Sequence, residues 1–262
     1  MGRKTAVITG ASSGIGMELA PMFAANGYDL ILTARRAERL QKLADELRKM
    51  YGNMVNVIQM DLAQPFAGEA LWRAISEIEP DIKVLVNNAG VGDACDFAEE
   101  SPEVIERMLH LNIATLTSLT RHVLPGMIAR RHGKILNVAS LAGFQPGGPG
   151  MAVYYASKSY VLSFSRSLRS ELRGSGVSVT VLCPGATATE FEQTAGAQNT
   201  LLFHWAKPME AREVAHAGYQ GMLRGCDVVV PGLLNKFLAA SPRFSPTAAV
   251  LAINRWLLAR RG

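Results

Sequence analysis

The stretch that decides the fold is "VITGASSGIGMELA", residues 7–20. It begins as an apolar, β-branched run, passes through a glycine-rich turn and continues as a helical pattern. Gly10, Gly14 and Gly16 permit a tight turn and a close approach to the backbone, so that the N–H groups of the next helix point at a bound phosphate. With a strand before it and a helix after it, the turn predicts a dinucleotide site, and a plain connecting turn is the alternative.

The rest of the chain repeats this alternation of strand and helix. Strand-like runs lie at Thr5–Thr9, Leu30–Thr33, Val55–Met60, Val84–Val86, Ile135–Val138, Val177–Leu182 and Val228–Val230. Strands separated by helices predict right-handed crossovers and a parallel sheet that is covered on both faces. We therefore expect an α/β protein over residues 1–262: a single doubly wound, Rossmann-type domain with a seven-stranded parallel sheet and helices on both faces.

Composition and charge exclude several classes of protein. The chain has 262 residues, is 48% hydrophobic and has no apolar run long enough for a membrane span or a secretory signal. Its three cysteines are far apart, which favours reduced thiols over disulfides. The net charge is +5, yet lysine and arginine are spread along the chain, which disfavours nucleic-acid binding. We expect a cytoplasmic protein that binds neither nucleic acid nor membrane.

Two C-terminal regions fall outside the strand and helix alternation. Residues 191–208, "FEQTAGAQNTLLFHWAKP", carry Phe191, Leu201, Leu202, Phe203 and Trp205 with weak periodicity. They predict either a covering helix or an apolar substrate lid at about 190–208, and the lid is favoured because ligands bind at that edge of an open sheet. Residues from about 232 to 262 predict a helical tail, which is expected to dock or contact another subunit rather than lie on a membrane.

The second strand and its end, "DLILTARRAERL", indicate which nucleotide is bound. A carboxylate at this point accepts hydrogen bonds from the ribose of NAD, whereas an arginine pairs with the 2′-phosphate of NADP. The chain has Ala34, Arg35 and Arg36 there and no carboxylate. NADP (NADPH) is therefore predicted, and NAD is the less favoured cofactor. The alternative, a solvated residue that opens a helix, is stronger for Arg36 than for Arg35.

A set of short motifs extends over most of the chain. They are "TGASSGIG" at 9–16, "DL" at 61–62, "NNAG" at 87–90, Asn112, Ser140, "YYASK" at 154–158 and "PGATAT" at 184–189. In type, order and spacing, the sequence resembles the single-domain short-chain dehydrogenases/reductases from Thr5 to about Thr189. The tail beyond this point is less diagnostic.

The resemblance implies a set of cofactor-binding residues. The turn residues lie against the cofactor phosphates, Arg35 and Arg36 near the 2′-phosphate, "DL" beside the adenine, the "NNAG" residues by the ribose, and the last motif near the nicotinamide. The implied positions are Gly10, Ser12, Ser13, Gly14, Ile15, Gly16, Arg35, Arg36, Asp61, Leu62, Asn87, Ala89, Gly90, Tyr154, Lys158, Pro184, Gly185, Thr187 and Thr189. Ser13 stands where some NADP-preferring members carry a second basic residue, which weakens the NADP preference.

The resemblance also implies a catalytic set, Ser140, Tyr154, Lys158 and Asn112. A tyrosine is a natural proton donor, but its ordinary pKa of about 10 is high for work near neutrality, so a nearby ammonium is expected to stabilise its phenolate. Helix geometry selects between the two adjacent tyrosines: Tyr154 shares the inward stripe with Lys158 and Val161. Tyr155 falls on the flank, where we expect an outer or subunit-facing surface.

Together these features predict an NADP(H)-dependent oxidoreductase that interconverts a ketone or aldehyde and an alcohol, as a carbonyl reductase does. A 3-oxoacyl-carrier reductase is a related alternative, and a non-catalytic NADP-binding regulatory protein is an alternative of another class. The histidines lack metal-ligand spacing, so no metal is expected. A homodimer or homotetramer is implied by the resemblance alone.

Overall fold

Parallel strands form the central sheet of the chain, as described by a computed structural model for residues 4–196, 200 and 208–259. Within those ranges the sheet has seven strands. They are β1 (Lys4–Thr9), β2 (Tyr28–Ala34), β3 (Val55–Gln59), β4 (Ile82–Asn87), β5 (Gly133–Val138), β6 (Val177–Leu182) and β9 (Val228–Val229). Two short strands, β7 (Thr187–Ala188) and β8 (Met209–Glu210), pair separately. The predicted fold class and all the predicted strands of the sheet are confirmed.

Helices connect the strands and cover the sheet. They are α1 (Gly14–Ala25), α2 (Ala37–Tyr51), α3 (Ala67–Ile78), α4 (Pro102–Leu109), α5 (Leu116–Ala129), α6 (Ala152–Glu171), α7 (Phe191–Thr194), α8 (Ala211–Leu223), α9 (Leu233–Ala240) and α10 (Thr247–Leu258). A π-helical turn, His110–Thr115, joins α4 to α5, and a 3-10 turn, Leu141–Phe144, follows β5. A second 3-10 turn, Ser241–Arg243, follows α9.

The alternation of side chains along each strand divides the core between the two faces of the sheet. In β1, Ala6 and Ile8 pack with residues of α1, α2 and α8, whereas Val7 packs with residues of α3, α5 and α6 on the other face. Because both faces are covered, the strands are mainly apolar, as is typical of parallel sheets.

The strand order β3-β2-β1-β4-β5-β6-β9 determines which edge of the sheet contains a crevice. The chain adds strands in one direction from β1 to β3 and then resumes at β4 on the other side of β1. The turns that follow β1 and β4 therefore diverge and leave a crevice at the carboxyl ends of these strands.

The predicted lid and tail are only partly described. The short helix α7 begins at Phe191, whereas Leu201, Leu202, Phe203 and Trp205 lie outside the described residues. Helices α9 and α10 lie within the region predicted as a helical tail. No helix in the described ranges combines the length and apolarity that a membrane crossing needs.

Candidate active site

The glycine turn after β1 leaves room and hydrogen-bond donors for an anion. Gly10 and Gly14 have φ angles of 67° and 55°, which favour glycine. Ser13 precedes α1 without capping it through its side chain, and the first turn of α1 has no acidic residue. The N–H groups at this helix start are thus available to a phosphate, as anion-binding helix termini require.

Asn88 fixes the turn and was not singled out by the sequence analysis. Its side-chain amide donates to the carbonyl oxygens of Thr9 at 2.9 Å and of Gly10 at 3.2 Å. A Cβ on Gly16 would overlap this amide and lie 2.6 Å from the Gly10 carbonyl oxygen. The third glycine of the motif is therefore required by Asn88, and the position of Asn88 inside "NNAG" was the signal that could have revealed it.

The "NNAG" residues after β4 do not all point to the crevice. Asn87 is buried and donates to Thr120 Oγ1 at 3.0 Å and to Asn137 Oδ1 at 2.9 Å, so its side chain bonds within the protein. The backbone N–H of Ala89 donates to Thr9 Oγ1 at 3.0 Å, which holds this turn against β1. A Cβ on Gly90 would lie 3.2 Å from Lys158 Nζ, so the glycine lets the lysine approach.

Basic side chains surround the end of β2. Arg36 donates to Ser12 Oγ at 3.3 Å and to Ser13 Oγ at 2.7 Å, which brings its guanidinium group onto the glycine turn. Arg35 is exposed, and its carbonyl oxygen accepts a hydrogen bond from Gln59 at 3.2 Å. Of the two predicted arginines, Arg36 contacts the glycine turn, and Arg35 is the exposed residue directly before it.

Glu190, which is distant in sequence, contacts this basic cluster. Its carboxylate bonds Arg36 Nη1 at 2.6 Å and Arg39 Nη1 at 2.5 Å. Hydrogen bonds lower the pKa of Glu190, and the one from Arg39 has a larger effect than the one from Arg36. The sequence analysis missed both Arg39 and Glu190, because Arg36 and Glu190 are 154 positions apart.

Asp61 and Leu62 follow β3 at the same edge. Burial opposes ionisation of Asp61, but the Ala63 N–H, Gln64 and Arg107 together lower its pKa. Arg107 reaches this carboxylate at 3.3 Å. Leu62 is buried and belongs to the core, and its carbonyl oxygen accepts from Thr115 Oγ1 at 2.8 Å.

Ser140, Tyr154 and Lys158 meet at the carboxyl end of β5. Tyr154 and Lys158 are one turn apart on α6, and both are buried. A hydrogen bond with the Ser140 side chain lowers the pKa of the Tyr154 hydroxyl, and Ser140 Oγ accepts from the Ala142 N–H at 3.1 Å. Lys158 Nζ lies 5.7 Å from the centroid of the Tyr154 ring and donates to the Val138 carbonyl oxygen at 3.2 Å. A proton donor, a second hydroxyl and a cation thus converge.

Burial dominates the ionisation of this group. It raises the pKa of Tyr154 to about 12, against the effect of the Ser140 hydrogen bond, and it lowers the pKa of Lys158 to about 8, against the effect of nearby Cys183. We expected the ammonium to stabilise the phenolate, and the net shift of Tyr154 has the opposite sign. The reason is that the free-energy cost of removing the phenolate from water exceeds the stabilisation that the Ser140 hydrogen bond provides.

Asn112 lies in the π-helical turn between α4 and α5. Turns of this kind are often found at functional sites. Its amide donates to the Val91 carbonyl oxygen at 2.8 Å and to Ser157 Oγ at 3.0 Å, and its Oδ1 accepts from the Val91 N–H at 3.0 Å. Ser157 lies between the predicted tyrosine and lysine, so Asn112 is connected to α6 through it.

The prediction for Tyr155 was wrong. It is only 8% exposed, and its ring lies 6.2 Å from that of Tyr154 with an edge-on geometry. The loop that carries Gly148 covers it: a Cβ on Gly148 would lie 2.5 Å from Tyr155 Cδ2. Helix periodicity alone does not reveal this loop, which supplies a wall where an exposed surface was expected.

The segment from Thr187 to Gly196, here termed the cover segment, lies over the tyrosine. The Phe191 ring is 5.3 Å from the Tyr154 ring, and a Cβ on Gly92 would lie 2.7 Å from Phe191 Cζ. The Ala94 N–H donates to the Ala195 carbonyl oxygen at 2.8 Å. Phe191 therefore packs between the turn after β4 and α6.

The predicted residues at the start of this segment are in place beside the glycine turn. A Cβ on Gly14 would lie 3.0 Å from Thr189 Cγ2. Thr187 is buried and donates to the Gly185 carbonyl oxygen at 3.0 Å, and the Pro184 carbonyl oxygen accepts from the Leu141 N–H at 2.7 Å. Ile15 packs against the core from the other side of the turn.

These features fit a phosphorylated dinucleotide. The helix start offers backbone donors, the three glycines of the turn carry no side chain that would fill it, and the arginines at the end of β2 supply positive charge. Groups of three or more histidine, cysteine, aspartate or glutamate residues suited to a metal ion do not occur among residues 4–196, 200 and 208–259.

Comparison with known proteins places these features in context. The short chain dehydrogenase family model matches residues 4–200. The NADP-dependent 3-hydroxy acid dehydrogenase YdfG of Salmonella typhi is 42% identical over 187 residues, 71% of this chain and 73% of that protein. A short-chain dehydrogenase from Sphingobium yanoikuyae in complex with NADPH has a TM-score of 0.81 at 36% identity, with 92% of this chain and 93% of that chain covered. The bulky-bulky ketone specific alcohol dehydrogenase from Comamonas testosteroni has a TM-score of 0.78 at 32% identity, with 93% and 94% covered.

Proposed function

The chain belongs to the short chain dehydrogenase family of oxidoreductases, and from this premise we propose that it is an NADP(H)-dependent enzyme that interconverts a carbonyl compound and an alcohol. The observation that carries the proposal is the convergence of Ser140, Tyr154 and Lys158 beside Gly90 and Gly92 of the turn after β4. A protein that only binds a nucleotide has no need for a buried hydroxyl pair and a cation at this position.

In this proposal the glycine turn binds the pyrophosphate and the arginines after β2 bind the 2′-phosphate. Arg36 reaches the turn through Ser12 and Ser13, and the exposed Arg35 lies next to it. The NADP dependence of the Salmonella relative and the NADPH bound to the Sphingobium protein support the same cofactor. Bound NADPH would supply the hydride for reduction of the carbonyl carbon.

The protein itself controls one proton. With a pKa of about 12, Tyr154 is a neutral phenol near neutral pH and donates its proton to the carbonyl oxygen during reduction. The Ser140 hydroxyl donates a hydrogen bond to the same oxygen as negative charge develops there. The Lys158 ammonium then stabilises the phenolate that remains. Asn112 bonds Ser157 and the Val91 N–H, and in this proposal it supports the resupply of protons to the neighbouring lysine.

The surroundings of Tyr154 favour an uncharged substrate. Its neighbours form an apolar cluster with Ala94, Met151 and Phe191. An apolar wall of this kind binds hydrocarbon, whereas a charged carboxylate would lose its water there without a partner. We therefore propose a small to medium apolar ketone, aldehyde or secondary alcohol, as opposed to the 3-hydroxy acid in the name of the Salmonella relative.

A panel of carbonyl compounds, assayed with NADPH and NADH in parallel, tests this function. The panel should contain matched pairs, such as a 3-oxo acid and its ethyl ester, which differ in charge at the same carbon skeleton. We expect oxidation of NADPH with the neutral member of each pair and little with the acid. Tyr154→Phe should bind NADPH like the wild type without oxidising it. If the wild type binds NADPH but reduces nothing in the panel, the enzyme proposal fails.

A further inference from the structure

The carboxylate of Glu190 holds two guanidinium groups near the end of β2. It bonds Arg36 at 2.6 Å and Arg39 at 2.5 Å, one arginine on each oxygen. In the described part of the chain Arg35 makes no such ion pair, so the three arginines at this edge differ in how far they are already neutralised.

Glu190 also lies in the cover segment, directly before α7. Its carbonyl oxygen accepts from the Thr194 N–H at 3.0 Å, which starts the short helix α7. The next residue, Phe191, packs 5.3 Å from the Tyr154 ring. The ion pairs at the end of β2 and the contact on the tyrosine are therefore made by adjacent residues of one short segment.

A 2′-phosphate at the end of β2 would compete with this carboxylate. Each ion pair is open to solvent, with the side chains of Arg36, Arg39 and Glu190 42%, 52% and 41% exposed. Such pairs are weak, whereas a phosphate offers three acceptor oxygens and a charge near −2. Arginine forms bidentate bonds with either anion, so the ligand with more charge displaces the carboxylate.

We propose that Glu190 is a cofactor-selecting residue that competes with the 2′-phosphate for Arg36 and Arg39. Binding of a nucleotide with that phosphate releases Glu190, and with it the contact of Phe191 on Tyr154. A nucleotide without the phosphate leaves both ion pairs intact. The inference rests on the NADP dependence proposed above, and it adds Arg39 as a residue that binds the 2′-phosphate.

Isothermal titration calorimetry with two adenosine ligands tests, without turnover, whether Glu190 competes with the 2′-phosphate. Adenosine 2′,5′-bisphosphate carries the 2′-phosphate, and adenosine 5′-monophosphate lacks it. We expect Glu190→Gln to bind the bisphosphate roughly three- to fivefold more tightly than the wild type does, and the monophosphate equally well. Glu192→Gln is the matched control, because it removes a carboxylate from the same segment that has no arginine partner among the described residues.

Hydrogen exchange of residues 190–196 tests the release of the cover segment. The bisphosphate should speed exchange there in the wild type, the monophosphate should not, and Glu190→Gln should exchange quickly without ligand. If Glu190→Gln binds both ligands more weakly, Glu190 instead closes the cleft over the nucleotide, and the inference is overturned. If neither affinity changes, the ion pairs are only surface contacts, and the inference is overturned as well. If the wild type itself does not prefer the bisphosphate, the proposed NADP dependence fails instead.

Discussion

Lys158 Nζ lies 5.7 Å from the centroid of the Tyr154 ring, and the two side chains share one buried stripe of α6. Burial disfavours the charged form of each: the pKa of the tyrosine rises to about 12, and that of the lysine falls to about 8. Near neutral pH the phenol therefore keeps its proton while the lysine is still charged. This combination is the one that proton donation to a carbonyl oxygen needs.

Replacement of each adjacent tyrosine by phenylalanine separates the two roles. Tyr154→Phe removes the proton donor, so we expect carbonyl reduction to fall by at least about a hundredfold, the usual contribution of a general acid. Tyr155→Phe keeps the ring that packs against Gly148 and should retain turnover. Steady-state kinetics with NADPH measures both effects. Equal losses in the two variants would contradict the assignment of Tyr154.

The rate of reduction should fall as the pH rises above about 8, where Lys158 loses its proton. The sign follows from the chemistry: below this pH the ammonium is present to stabilise the phenolate, and above it the lysine is neutral. The pH dependence of kcat/KM reports on the free enzyme and is the measurement of choice. Lys158→Arg stays charged and should lack this loss of activity. An unchanged limb near pH 8 in Lys158→Arg would assign it to another group.

Gly16→Ala should destabilise the protein and weaken nucleotide binding together. The new Cβ would overlap the Asn88 amide and lie 2.6 Å from the Gly10 carbonyl oxygen, so the turn must shift. We expect a loss of about 1–3 kcal/mol in the free energy of unfolding, as for other overpacked sites. Chemical denaturation and NADPH titration provide the measurements. In the control Gly126→Ala, the new Cβ meets only the flexible end of Arg130, so a loss of the same size there would rule out this explanation.

The buried amide pair that joins β4 to β5 should contribute to stability without taking part in catalysis. Asn137 accepts from Asn87 at 2.9 Å and donates to Ser165 Oγ at 2.9 Å. Asn137→Ala would leave the Asn87 donor without this partner, at a cost of about 1–3 kcal/mol in the free energy of unfolding. The exposed Asn26→Ala should change it by less than about 0.5 kcal/mol. Denaturant unfolding of the two variants decides, and similar small effects would show that the pair is dispensable.

Much of the site could be predicted because its signals are local. The glycine turn has a strand before it and a helix after it, and the spacing of Tyr154 and Lys158 fits one helical stripe. Tyr155 was misplaced because a single helix does not reveal the loop that packs on its flank. The contact of Glu190 with Arg36 could not be predicted either, since the residues are 154 positions apart and no periodic pattern connects them.

The sequence by itself determined the alternation of strands and helices and the glycine turn, because these depend on side-chain periodicity and on the rules of parallel sheets. The residues that meet at the carboxyl ends of the strands were implied by the resemblance of their motifs to a known family. The tertiary structure alone decided which way each polar side chain points: Asn87 into the protein, Asn88 onto the glycine turn and Glu190 onto the arginines. It also decided the sign of the Tyr154 pKa shift, because that sign depends on how much water the surrounding segments exclude.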